Sequence, residues 1–147
     1  MMELSNARTA RQLEKMKECL RLGRCPFCQE YLAIYHDAPI LIEGKFWVIT
    51  ANDDPYEGTE HHYLAISKRH ITSIEELSFE EAGEQIILFA QLAKQLKVKA
   101  ATTFMRFGEI IYTGATIDHL HAHFIVGSQT AVDGEKLKVK VGFKKPR

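Results

Sequence analysis

The clearest hydrophobic pattern in the chain lies near its C-terminal end, where Leu120, Ala122, Phe124 and Val126 alternate with His119, His121 and His123. A period of two belongs to a β-strand, whose successive side chains point to opposite faces. The spacing predicts a strand over residues 119–126 with its apolar face turned to a core and three histidines in line on the other. Elsewhere the period lengthens. Residues 6–22 have helix-favouring composition, put Leu13, Met16 and Leu20 on one stripe, and are followed by Gly23 as a stop. Ser78-Phe79-Glu80-Glu81 is a capping box opening a helix that runs to about Lys97, with Ile86, Phe89, Ala90, Ala93 and Leu96 as its expected buried stripe. Short β-prone runs at residues 31–35, 40–43, 46–50, 62–67, 102–107, 110–113 and 137–143 predict further strands. Gly44-Lys45 suits a hairpin turn, and Asp133-Gly134 a turn before the last run. Between two of these strands, residues 51–60 (ANDDPYEGTE) are rich in turn formers and form a long loop of the kind that carries function.

The order of helix, strands, helix and strands predicts an α+β fold, a mainly antiparallel sheet packing helices on one side. With 147 residues, 46% hydrophobic and 26% charged, one globular unit should hold both core and site. No apolar run approaches the roughly 20 residues that cross a bilayer. Lys and Arg number 19 against 19 Asp and Glu, so no overall field draws the chain to duplex nucleic acid or an anionic membrane, and any phosphate must be met locally. The first 22 residues carry scattered charges and no secretory pattern, which makes the cytoplasm the expected compartment. Cysteines there are thiols or metal ligands rather than disulfides; Cys19 is expected as a buried thiol.

Packing gives no reason for three histidines on one strand face, because imidazole is only moderately favoured inside and each ring nitrogen needs a partner. A single metal held by all three meets a geometric limit. The outer two stand roughly 13 Å apart at ~3.3 Å per residue, a gap that two rings and Zn–N bonds of ~2 Å barely cover. At least one histidine therefore does something else. A neutral imidazole whose second nitrogen is held by a backbone carbonyl is a competent nucleophile. His121, flanked on both sides, is the best placed for attack on phosphorus. Cys25-Pro26-Phe27-Cys28 has the spacing of half a tetrahedral zinc site; a redox pair and two unconnected thiols are the other readings. A thioredoxin-like pair should open a helix, whereas this one is expected to precede strands.

The segment His119-Leu-His121-Ala-His123-Phe-Ile resembles the histidine-triad motif, His-φ-His-φ-His-φ-φ, of the HIT superfamily of nucleotide hydrolases and transferases. The resemblance extends to Gly114-Ala115-Thr116-Ile117-Asp118, where the family has a phosphate-binding run, and to the strand from His62 to His70; it covers roughly residues 25 to 127. It implies a HIT-like catalytic domain at 25–130, an N-terminal helical extension at 1–24, and a C-terminal strand with a basic tail at 131–147. It also implies that His121 attacks the α-phosphorus to form a nucleotidyl-histidine and that His123 binds the phosphate or bridging oxygen. Asp54 would contact the ribose hydroxyls, and His62 would stand beside the active site. Some members complete a structural zinc site with two histidines, whose positions here are His70 and His119 beside Cys25 and Cys28. A homodimer with sheets continuing across the interface is implied as well.

The chain departs from the family pattern on the phosphate side. Ala115 stands where a Gln or Ser is usual, leaving Thr116 as a substitute hydroxyl, and Arg106 stands near an expected Asn, where a charge-assisted contact would replace it. The expected substrates are nucleotides bearing a polyphosphate, phosphoramidate or sugar-phosphate, cleaved by water or phosphate, with strand residues such as Phe46, Trp47 or Ile49 lining a weakly selective base pocket. Two other classes fit: a zinc-stabilised nucleotide-binding or adaptor protein without turnover, and a hydrolase with catalytic metal on the triad.

Overall fold

Thr9 sets the start of the first helix: its side chain accepts from the Gln12 amide and caps α1, Ala10–Leu22, while Gly23 ends it at φ +64°. The helix thus begins four residues later than periodicity suggests: Leu4–Asn6 form a separate 3-10 turn that ends at extended Ala7, and the Thr9 hydroxyl caps a new start. The computed structural model describes residues 2–147. After α1, Cys25-Pro26-Phe27-Cys28 turns into a second helix, α2, Gln29–Tyr35, in which the Cys28 carbonyl accepts from Tyr31 and Leu32. A strand is expected at 31–35 and is not found there. The run Tyr-Leu-Ala-Ile-Tyr buries only Leu32 and Tyr35, a spacing of three that a helix satisfies and a strand does not.

One sheet follows, in the order β1 (Ile40–Glu43), β2 (Trp47–Ala51), β3 (His61–Ser67), β5 (His121–Val126), β4 (Thr102–Met105), with every neighbouring pair antiparallel. The β1–β2 hairpin at Gly44-Lys45 is held from outside. The Glu84 carboxylate accepts from the amides of Lys45, Phe46 and Trp47 at 2.8, 2.6 and 2.9 Å. A side chain on Gly44 would place its Cβ 2.7 Å from Glu84 Oε2, so this position needs glycine for close approach. Glu84 belongs to α3, Phe79–Leu96, which starts at the expected capping box of Ser78 and Glu81. Its buried residues are Glu81, Gln85, Leu88, Phe89 and Leu92, whereas Ile86 and Ala90 are exposed. The stripe is rotated from the expected one. The face carrying Glu81 and Glu84 must turn inward, to meet Arg69 at 2.7 Å and the hairpin amides.

Register divides the sheet into two faces. On one, Trp47, Ile49, Ala65, Ala122, Phe124 and Val126 pack with Leu88, Phe89 and Leu92 of α3 into the main core. On the other, Ile66 pairs with His121 and Leu64 with His123. That face is covered by Phe27 and by Leu32 of α2, so the helices lie on both sides of the sheet and not on one. Met16 and Cys19 of α1 join Tyr35 and Met2 in a third cluster, with Cys19 fully buried as expected and Leu20 left exposed. Residues 110–113 do not form a strand: Ile110–Tyr112 is a 3-10 turn. Residues 137–143 are irregular as well. Neither run pairs with a strand: β1 and β4 are the outermost strands of the sheet, and residues 137–143 are tied instead through the Lys140 carbonyl, which accepts from Arg106 at 2.6 Å. No helix is long and apolar enough to cross a membrane.

Candidate active site

β5 puts His121 and His123 on one face as the alternation requires; it begins two residues later than the spacing suggests, so His119 lies in a bend just ahead of the strand. His121 is buried and points its Nδ1 at the carbonyl of His119, 2.6 Å away. A carbonyl only accepts, so Nδ1 carries the proton and Nε2 keeps the lone pair. Burial holds this ring neutral, lowering its pKa to about 4 against the smaller opposing effect of that hydrogen bond. The edge of Phe27 meets it at 5.0 Å between centroids and 83° between planes, fixing the ring from the side of the cysteine turn.

His123 belongs to a chain of fixed protons. The amide of Tyr56 donates to His62 Nδ1 at 3.0 Å. Neutral His62 must then carry its proton on Nε2, which faces His123 Nδ1 at 2.8 Å. His123 in turn presents Nε2–H, and the Asn52 amide nitrogen, 3.1 Å from His62 Nε2, is a neighbour and not a donor to it. Burial lowers the pKa of His62 to about 3 and that of His123 well below the ordinary histidine value, with the charges of Arg8 and Arg106 acting in the same direction. Phe104 stacks on His123 at 4.5 Å and 8°.

His119 turns the other way. Its Nε2 donates to the Ser67 carbonyl at 2.6 Å, which leaves the Nδ1 lone pair facing Cys25 Sγ at 3.4 Å, Cys28 Sγ at 3.7 Å and His70 Nδ1 at 3.1 Å. His70 Nδ1 is also 3.2 Å from Cys28 Sγ, and all four ligand atoms lie within 4.8 Å of one another. A tetrahedral ion with bonds of about 2.0–2.3 Å would set its donors about 3.3–3.8 Å apart. The cluster fits, and the carbonyl that orients His119 is the outer-shell partner such a ligand requires. Cys28 opens a helix after all, so its position no longer argues against a redox pair; its surroundings do. His119 Nδ1 lies 3.4 Å from Cys25 Sγ and His70 Nδ1 lies 3.2 Å from Cys28 Sγ, a closed four-donor set that a metal fits and that a redox pair does not need.

A cavity of about 630 Å³ lies against the triad face, with His121, His123, Asp54, Thr116 and Arg106 among its walls. Asp54 Oδ1 accepts from the Thr9 hydroxyl at 3.3 Å, and Thr116 gives its carbonyl to the Glu3 amide at 3.1 Å. Arg106 reaches Tyr56 Oη at 3.2 Å and lies 3.5 Å from His123 Nε2. The structure therefore places His121, His123, Asp54, Thr116 and Arg106 at the cavity, His62 behind it, and His119, His70, Cys25 and Cys28 in the metal cluster. Trp47 and Ile49 are instead buried in the core on the opposite face, and Phe46 packs against that core, so none lines a base pocket. The cavity is walled instead by residues that carry no sequence signal, among them Asn6, Arg8 and Asp53. Asp53 secures the turn before β1 by accepting from the amides of Asp37 and Ala38 at 2.8 and 3.0 Å. Arg8 lies over the Tyr56 ring at 4.6 Å. Asn6 Nδ2 donates to the Ala115 carbonyl at 2.7 Å.

Comparison with known proteins agrees with this geometry. The family described as "Scavenger mRNA decapping enzyme C-term binding" matches residues 24–138, more than half of the chain. No curated protein matches the sequence. Among solved structures, a HIT family hydrolase from Clostridium thermocellum superposes with a TM-score of 0.56 at 24% identity, over 78% of this chain and 96% of that one. A zinc-bound histidine triad family protein from Mycobacterium smegmatis gives 0.57 at 19%, over 80% and 81%. A histidine triad nucleotide-binding protein from Candida albicans gives 0.58 at 19%, over 81% and 86%. These likenesses show a shared fold. A five-stranded antiparallel sheet bearing the triad on its covered face, together with the family match over residues 24–138, makes this chain a member of the scavenger mRNA decapping enzyme C-terminal family within the histidine-triad superfamily.

Proposed function

We propose that the protein is a nucleotidyl hydrolase or transferase that works through a covalent nucleotidyl-His121. The observation that carries this reading is the His119 carbonyl 2.6 Å from His121 Nδ1, which leaves an unprotonated Nε2 on a buried ring at the cavity wall. In the first step the Nε2 lone pair forms a bond to the α-phosphorus, and the bond from phosphorus to the leaving group breaks with its electron pair. The proton stays on Nδ1, hydrogen-bonded to the His119 carbonyl, which stabilises the positive charge arriving on the ring. In the second step water, which gives up a proton to the solvent, or phosphate attacks the same phosphorus, the P–N bond breaks with its electron pair returning to Nε2, and neutral His121 is regenerated. His123 donates Nε2–H to a phosphoryl or bridging oxygen, its tautomer set by His62 and the Tyr56 amide. Asp54 accepts from the ribose hydroxyls, and Thr116 and Arg106 supply phosphate contacts in place of the side chain missing at Ala115.

Cys25, Cys28, His70 and His119 would hold zinc, a closed four-ligand ion that pins the cysteine turn to the catalytic strand. Through Phe27, lodged between the two cysteines, that turn also fixes the nucleophile's ring.

The test is intact mass spectrometry of wild type and His121→Ala, quenched without acid after brief exposure to diadenosine triphosphate or adenosine 5′-phosphoramidate. A nucleotidyl adduct on wild type alone, with AMP released, is the expected result. Binding without an adduct on either protein would favour a nucleotide-binding protein without turnover, and an adduct on His121→Ala would move the nucleophile elsewhere.

A further inference from the structure

The family match begins at residue 24, so the segment ahead of α1 lies wholly outside it. That segment is nevertheless built into the site. Residues 115–117, just ahead of the histidines, lie in no strand of the sheet, and their backbone groups must find partners elsewhere. Residues 2–6 supply them one after another. Asn6 Nδ2 donates to the Ala115 carbonyl at 2.7 Å, the Glu3 amide donates to the Thr116 carbonyl at 3.1 Å, and Met2 forms an antiparallel bridge with Ile117. The local support is a turn at Gly114, φ +79°, and the Thr113 hydroxyl, which accepts from the Ala115 amide at 3.1 Å. Ala115 itself brings no polar side chain.

A few residues on, the same segment reaches another wall of the cavity. Arg8 donates to the Asp54 carbonyl at 2.5 Å, and the Thr9 hydroxyl donates to Asp54 Oδ1 at 3.3 Å. Asn6, Asp54, Ala115 and Thr116 all line that cavity. The segment is anchored at both of its ends. Met2 is buried with Met16 and Cys19 of α1 and with Tyr35, a cluster against which Ile117 also packs, and Thr9 caps α1 by accepting from the Gln12 amide. One short stretch of chain therefore ties the loop that carries Thr116 to the loop that carries Asp54.

Resting on the His121 reaction, we propose that residues 2–9 are a positioning brace of the active site, in which Asn6 fixes the Thr116 loop while Arg8 and Thr9 fix Asp54. The brace touches no reacting atom. It sets the separation of the two walls between which the phosphate and the ribose of a nucleotide must both be met at hydrogen-bond distance, and a wall displaced by about 1 Å forfeits such contacts. The chemistry at position 6 is specific. A carbonyl only accepts, so holding Ala115 requires a donor there; an aspartate of nearly the same shape would turn lone pairs toward the carbonyl, whereas a glutamine keeps the donor on a longer stem.

The experiment compares the full-length wild type with Asn6→Asp and Asn6→Gln. Single-turnover adduct formation is followed against diadenosine triphosphate concentration, beside the urea midpoint and the exchange rate of the Glu3 amide by NMR. Asn6→Asp should raise the half-saturating concentration at least tenfold with full adduct amplitude, and should speed exchange of the Glu3 amide, whose acceptor is the Thr116 carbonyl. Asn6→Gln should recover most of both losses. Unchanged half-saturation and exchange in Asn6→Asp, or equal losses in the two variants, would overturn the brace. So would a smaller amplitude and a lower urea midpoint at unchanged half-saturation, the result of a segment that only helps the chain to fold. A wild type that forms no adduct would overturn the His121 reaction, and the brace is then decided by Glu3 exchange and by calorimetric titration of AMP into the same proteins, unchanged values in Asn6→Asp counting against it.

Discussion

At the scale of single residues, chemistry here is decided by which nitrogen of each histidine is tied to an acceptor. His119 and His121 both donate to backbone carbonyls, but with opposite nitrogens, so one ring faces two thiols with Nδ1 and the other keeps Nε2 for the cavity. With His121 as the proposed nucleophile, His121→Ala should lower turnover by about three orders of magnitude or more, measured as steady-state kcat. Because burial lowers the His121 pKa to about 4, the ring stays unprotonated well below the ordinary histidine range. The rate of adduct formation should thus be flat from about pH 8 down to about pH 5 in a single-turnover pH profile. A break near pH 6.5 would mean that an exposed, ordinary histidine carries the reaction. The histidines and the cysteine pair were legible in the sequence because their periods, two along a strand and three across a turn, are local. Arg8 and Tyr56 were not, because their contact joins residues far apart in the chain and nothing in either neighbourhood announces it.

At the scale of elements, the hairpin between β1 and β2 depends on one carboxylate of α3. Glu84 accepts from three consecutive backbone amides and has no counterpart in the turn itself. Glu84→Ala should cost about 2 kcal/mol in urea unfolding, since hydrogen bonds to a charged acceptor exceed ordinary ones and three amides lose their partner. An unchanged midpoint would mean that water replaces the carboxylate without loss. The same carboxylate explains why the hydrophobic pattern of α3 misleads. Its apolar residues run nearly all the way round, and Ile86 and Ile87 are left exposed so that Glu81 and Glu84 can face their partners. α2 misleads for a related reason: a seven-residue helix is too short to show its period, and its β-prone composition is outweighed by the burial of Leu32 and Tyr35.

At the scale of the whole molecule, two linkages should govern stability. If the Cys25, Cys28, His70 and His119 cluster holds zinc, a chelator should lower the thermal midpoint and added zinc should restore it, as followed by scanning calorimetry. Cys28→Ser should have a low midpoint that responds to neither. The second linkage is to protons. His62 and His121 have folded-state pKa values lowered to about 3 and about 4, and His123 lies well below its ordinary value. In the unfolded chain these groups take up protons near pH 6.5. Between about pH 6.5 and pH 4 the unfolded state binds more protons than the folded one, so stability is present above that window and is lost as pH falls through it. The loss is about 1.4 kcal/mol per pH unit for each histidine that only the unfolded chain protonates. Urea midpoints measured at intervals across that range should fall steeply with acid, and a flat series would mean that the three rings titrate normally.

The sequence by itself determined what short-range periodicity can encode: an α+β order of elements, a strand with three histidines on one face, the capping box at Ser78 and a cysteine pair spaced for a metal. Only the tertiary structure decided where those faces meet. It set α2 over the triad face, brought His70 and His119 to the cysteines, turned α3 toward its own carboxylates and folded both chain ends over the cavity. The physical reason is that a periodic pattern fixes which side of an element is apolar, while the partner for that side, and for every buried charge or ring nitrogen, comes from residues tens of positions away. Such pairings are chosen by burial and hydrogen bonding in the assembled fold, and no local spacing records them.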